Sequence, residues 1–147
     1  MEFVMRPIGV IHSPFEEKGQ MPIQASRSQA IGLAEIYPEF AEGLQDIEGF
    51  SHIILIYAFH LSSGYTLHVK PFLDDHERGL FSTRYPRRPN PIGLSIVHLM
   101  SRREDTLTFE GADVLNGTPL LDIKPYVPDF DHQTEVRTGW YETRSKP

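Results

Sequence analysis

Ser51-His52-Ile53-Ile54-Leu55-Ile56-Tyr57-Ala58-Phe59-His60-Leu61 carries the strongest fold signal in the chain. β-branched and aromatic residues dominate it, and these pack well on a pleated surface. Counting by twos puts Ile53, Leu55, Tyr57 and Phe59 on one face and Ile54, Ile56, Ala58 and His60 on the other. Apolar side chains on both faces predict a strand covered from both sides. A central strand buried at a dimer interface fits the same pattern. His60 emerges at the rim of its face, and a lone histidine there is more often structural than catalytic.

To either side of this stretch, twelve prolines and eleven glycines cut the chain into pieces of about 6 to 11 residues, a spacing that suits strands. Arg6 to Ser13, Gly32 to Tyr37, Ile92 to Met100, Thr106 to Leu115 and Leu120 to Tyr126 read as strands, and Thr66 to Lys70 alternates weakly. Pro38 to Leu44 suits one or two helical turns, because proline is tolerated in a first turn. Val136 and Trp140 near the C-terminus are expected in the core. Many short strands with turn signals predict a mainly β chain, an antiparallel barrel or a sandwich. No repeat or linker divides it, so 1–147 is expected to be one domain.

No cysteine is present, which excludes a disulfide framework, a thiolate metal site and a cysteine nucleophile. No apolar run approaches the roughly 20 residues of a membrane helix. The N-terminus lacks a basic start followed by an apolar core. The expectation is a cytoplasmic protein with no membrane contact. The net charge of −6 argues against binding nucleic acid by bulk charge. One basic segment nevertheless lies in the acidic chain: Arg78, Arg84, Arg87, Arg88, Arg102 and Arg103 occur with no acid between them. On one face of the fold they would make a local positive patch.

No two glycines stand one residue apart, so the dinucleotide fingerprint is missing, as are a phosphate-binding P-loop and a nucleophile elbow. Asp74-Asp75-His76 and Asp129…Asp131-His132 lack the spacing of a zinc or calcium motif, and no metal is expected. The positive signal is Gly79 to Gly93. Pro86, Pro89 and Pro91 hold its backbone extended. Arg84, Arg87 and Arg88 offer planar forks for phosphate or carboxylate, Phe81 and Tyr85 offer stacking faces, and Asn90 is aimed from between two prolines. A solvated proline-rich loop is the plain alternative. Asn116-Gly117, between apolar runs, signals a tight turn whose amides can also hold a ligand's polar edge.

Together these pieces resemble the TrmO-like (TsaA-like) family of S-adenosylmethionine-dependent tRNA methyltransferases. The resemblance covers nearly the whole chain, through Ile8 to Phe15, Gly49 to Ile53, Gly79 to Gly93 and Asn116 to Tyr126. Arg88-Pro89-Asn90-Pro91-Ile92-Gly93 and Asp122-Ile123-Lys124-Pro125-Tyr126 are its distinctive segments. It implies a single-sheeted antiparallel β-barrel with short helical turns, acting as a homodimer. The implied activity is methylation of N6 of threonylcarbamoyl-adenosine at position 37 of tRNA. The implied S-adenosylmethionine site comprises Pro22, Ile23, Gln24, His60, Leu61, Arg84, Leu94, Leu115, Asn116, Gly117 and Thr118. Tyr85, Arg87, Arg88 and Asn90 then face the substrate, and His60 is a conceivable base. Longer family members carry a second C-terminal domain, and some carry an acid in place of Asn116. Two rival functions stand beside this one: a methyltransferase for another, smaller substrate, and a non-catalytic module that binds the cofactor or RNA.

Overall fold

The computed structural model describes residues 1–22, 28–72 and 74–143. Its strands are β1 (Gly9–His12), β2 (Ile31–Ile36), β3 (His52–Ala58), β4 (His68–Val69), β5 (Arg78–Gly79), β6 (Ile92–Arg103), β7 (Thr106–Glu110) and β8 (Thr118–Pro125). The chain forms two compact units: residues 1–60 with 92–126, and residues 61–91 with 127–147.

The first unit is a closed barrel in the order β1-β2-β7-β6-β3-β8. Every neighbouring pair runs antiparallel. Closure gives each strand two hydrogen-bonded neighbours and removes exposed edges. The expected strands are therefore present, and the barrel excludes the sandwich. Strand β6 runs past Met100 because Arg102 and Arg103 pair with Leu107 and Thr106 of β7. A two-residue hairpin with Glu104 at φ 55° joins those strands. It contains no glycine, which is why the sequence does not announce it.

Alternation sorts the side chains. In β3, Ile53, Leu55 and Tyr57 are buried, while Ile54, Ile56 and Ala58 are half-covered. In β6, Ser95, Val97 and Leu99 point inward and Ile92, Leu94, Ile96 and Met100 outward. Phe109 of β7 fills the centre and is 1% exposed. It fits because its neighbour in register is Gly32; a Cβ there would stand 2.5 Å from the Phe109 ring. Pro38–Leu44 forms a 3-10 helix, as the sequence suggests, and buries Leu44.

The second unit holds the β4–β5 ribbon, a 3-10 turn at Leu80–Ser82 and the short helix α1 (Pro128–Asp131). Leu80 is its best-buried side chain and donates its backbone N–H to Leu67 O at 2.9 Å. Trp140 Nε1 donates to Ser82 O at 2.8 Å, and the Arg78 guanidinium lies 5.7 Å from the Trp140 ring centroid. Trp140 thus braces this unit. Val136, expected in the core, is 62% exposed, because the chain around it contains no regular element to bury it.

Phe109→Ala should destabilise the protein by about 3–5 kcal/mol through the cavity it leaves. Urea unfolding of the variant against wild type reads that loss directly.

Candidate functional site

One rim of the barrel collects the C-terminal ends of β1, β3 and β7 and the N-terminal ends of β2, β6 and β8, as the registers require. The described first-unit residues assigned to the cofactor belong to this rim by chain position. Pro22 lies between β1 and β2, His60 follows β3, Leu94 is near the start of β6, and Leu115 to Thr118 lead into β8. Ile23 and Gln24 lie outside the described residues.

The Asn-Gly turn is locked to the loop that follows β1. Asn116 N–H donates to Phe15 O at 2.7 Å and Gly117 N–H to Ile11 O at 2.8 Å. The Asn116 side chain accepts from Ser13 N–H at 3.1 Å and donates to Glu16 Oε1 at 3.1 Å. Gly117 adopts φ 87°, which suits glycine. This turn is not a hairpin, since β7 and β8 are not neighbours. Its amides at 116 and 117 already serve the chain and are not offered to a ligand, and Leu115 is half-buried beside them. Thr118 is buried and its hydroxyl donates to Leu115 O at 2.7 Å, bracing the turn from below.

Beneath the rim is a buried polar chain that sequence reasoning missed. Tyr57 Oη lies 2.7 Å from Ser95 Oγ, and Ser95 Oγ donates to Asp113 Oδ1 at 2.7 Å. One signal was available: Ser95 interrupts the inward apolar series of β6. The arrangement anchors a carboxylate two residues before Leu115. His60 is exposed at the end of β3. Leu94 is 48% exposed on the barrel's outer surface, opposite Ile56.

The six arginines of the basic segment divide by task. Arg78 Nε donates to Asp74 Oδ2 at 2.7 Å. Arg88 Nη1 donates to Thr83 O at 3.1 Å and to Tyr85 O at 2.7 Å, holding the loop in shape. Arg102 Nη1 donates to Leu44 O at 3.1 Å and to Glu48 at 3.2 Å, at the barrel's other rim. Arg84, Arg87 and Arg103 present exposed side chains, as do Tyr85 and Asn90. Half of the expected patch is therefore scaffold.

Asp74, Asp75 and His76 form one cluster of potential metal ligands among the described residues. Asp74 is already engaged by Arg78 and by the N–H groups of Asp75 and His76. The Arg78 hydrogen bond holds the Asp74 carboxyl down at about 2. No helix among the described residues is long and apolar enough to cross a membrane.

A closed antiparallel barrel defines a class apart from the doubly wound nucleotide binders. Residues 10–132 match the family model described as the tRNA-methyltransferase O N-terminal domain, and the chain belongs to that family. It is 56% identical to a probable S-adenosyl-L-methionine-binding protein of Pyrococcus abyssi over 138 residues, covering 93% of this chain and 75% of that one. It is 33% identical to the human tRNA (adenine(37)-N6)-methyltransferase over 138 residues, covering 88% of this chain but 31% of that one. The crystal structure of TrmO from Pseudomonas aeruginosa superposes with a TM-score of 0.80 at 39% identity, covering 95% of this chain and 62% of that one.

Asp74 has a depressed folded-state pKa, so its contribution is complete above the ordinary carboxylate value of about 3.9. It is lost as pH falls through about 2. Trp140, the single tryptophan, stacks on Arg78 and reports the change. Wild-type tryptophan fluorescence should change as pH falls through about 2, and Asp74→Asn should abolish that transition.

Proposed function

We propose that the chain methylates N6 of adenosine 37 in tRNA, with S-adenosylmethionine as donor and threonylcarbamoyl-adenosine as the base it modifies. The observation that carries this reading is the gathering of Pro22, His60, Leu94 and the Leu115–Thr118 turn at one barrel rim. Family membership and the names of its relatives support it. When bound, S-adenosylmethionine supplies an electrophilic methyl group on a sulfonium. The rim's task is to align N6 with that group, since alignment supplies much of the catalysis in an in-line displacement. The N6 nitrogen is amide-like and must lose its proton as the new N–C bond forms. His60, exposed at the end of β3, is the proposed acceptor. Arg84 is proposed for the cofactor's carboxylate, on the resemblance and on the pairing chemistry of guanidinium. Leu61, Ile23 and Gln24 complete the proposed cofactor contacts. Tyr85, Arg87 and Asn90 are proposed for the substrate. Arg88, through its clasp on the backbone of 83 and 85, is proposed to shape the loop that presents them.

We also propose a homodimer through the outer surface of β3 and β6. Leu94, Ile96 and Met100 are 48%, 42% and 52% exposed there, and Ile56 and Ile54 stand beside the first two in register. A contiguous apolar face of this kind marks an interaction surface. The pairing of His52 with His98, ring centroids 5.2 Å apart, continues the face.

With labelled S-adenosylmethionine, label should pass to tRNA carrying threonylcarbamoyl-adenosine and not to tRNA lacking it. No transfer to either overturns the methyltransferase reading, and equal transfer overturns the finer substrate. Arg84→Ala should weaken cofactor binding roughly 10- to 100-fold, the worth of a charge-assisted hydrogen bond.

Sedimentation of the wild type should give twice the 16.8 kDa chain mass, and Ile96→Glu should return it to one. A monomeric wild type removes the dimer.

A further inference from the structure

Charge is not shared evenly between the two units. The barrel unit has 6 basic and 13 acidic residues, and the second unit has 8 basic and 7 acidic. A polyanion is repelled by the first far more than by the second. The second unit also contains a hollow of about 560 Å³, where Tyr85 and Arg87, which the family resemblance gives to the substrate, meet residues 63–70 and Glu77, which it does not assign. Tyr65, His68, Lys70, Glu77, Tyr85 and Arg87 supply its functional side chains.

Its construction follows from short-range rules. Val69 is buried, so its chain neighbours His68 and Lys70 are turned to the solvent side. Tyr85 is 40% exposed, yet its backbone is fixed. Its N–H donates to Thr83 Oγ1 at 3.2 Å, and its carbonyl accepts from Arg88 at 2.7 Å. Tyr65, 53% exposed, lines the same hollow. Two aromatic rings, two full cations, an imidazole and a single acid therefore surround a space of ligand size. A backbone that is fixed before binding, as at Tyr85, loses little entropy when a partner stacks on its ring.

We propose that this hollow is a subsite for unpaired ribonucleotides of the tRNA, taking a base against Tyr65 or Tyr85 and the adjoining phosphates on Lys70 and Arg87. Unpaired bases expose the faces that stacking needs, whereas a duplex hides them. Glu77 accepts hydrogen bonds from a base amino group or a 2′-hydroxyl, which gives the acid a place in the same site. The proposal rests on the tRNA reading above and adds to it the surface that grips the RNA, with Tyr65, His68 and Lys70 as residues outside the family resemblance.

The test is fluorescence anisotropy with a labelled anticodon stem–loop RNA bearing threonylcarbamoyl-adenosine at position 37, run from 50 to 200 mM salt. Lys70→Gln should weaken binding about fivefold and reduce the salt slope by about 0.7 to 0.9, as expected when one phosphate is left without its cation. Tyr65→Leu should weaken binding about tenfold with the slope unchanged, the mark of missing stacking. A duplex RNA of equal length should not distinguish Tyr65→Leu from wild type. Unchanged cofactor affinity and melting temperature confirm that both variants fold. If both bind the stem–loop like wild type, the subsite is overturned and the tRNA reading stands. If Tyr65→Leu loses duplex binding equally, stacking is overturned. If the wild type binds cofactor but no RNA, both readings fall.

Discussion

Closure of six strands around a packed interior governs the barrel unit and its rim. An antiparallel barrel this small has room for side chains alone, so every strand must alternate in step with its two neighbours. Phe109 fills the centre because Gly32 beside it has no side chain. Closure also fixes which chain ends meet. Once the order β1-β2-β7-β6-β3-β8 is set, the loops after β1, β3 and β7 have to share a rim.

That rim is built for rigidity. Asn116 and Gly117 donate their amides to the strand and loop of β1, and the Asn116 side chain grips both Ser13 and Glu16. Residues about a hundred positions apart in sequence are thereby tied into one platform. Below it, the Tyr57–Ser95–Asp113 chain satisfies the polar groups that an apolar core would otherwise strand. The platform's donors are internally committed, which is what holds the turn rigid.

The second unit follows a different logic, because it lacks a large core. It is held by specific polar contacts: Arg78 between Asp74 and Trp140, and Arg88 across the backbone of its own loop. Guanidinium groups suit this work because a planar fork reaches several acceptors while staying charged. Counting arginines along the chain therefore overstates the cationic surface. What remains exposed in this unit's loop is Arg84 and Arg87, with Tyr85 between them.

Alternation of apolar residues, visible in Ser51 to Leu61 and Ile92 to Met100, was enough to determine a mainly β chain of short strands. Such patterns are local, and burial of one face is what they encode. The motifs at Gly79 to Gly93 and Asn116 to Tyr126 pointed to the family before any fold was known. Composition excluded cysteine chemistry, and glycine spacing excluded a dinucleotide fingerprint. Tertiary structure alone decided between barrel and sandwich, because closure depends on pairing β1 with β8 from opposite ends of the chain. It alone separated Arg88 the clamp from Arg87 the exposed cation, since adjacent residues of one type differ only in what lies within reach. It alone placed Ser95 beside Asp113 and gathered Tyr65, Lys70 and Tyr85 around one hollow. Contacts of that kind are made by side chains that the sequence keeps apart and folding brings together.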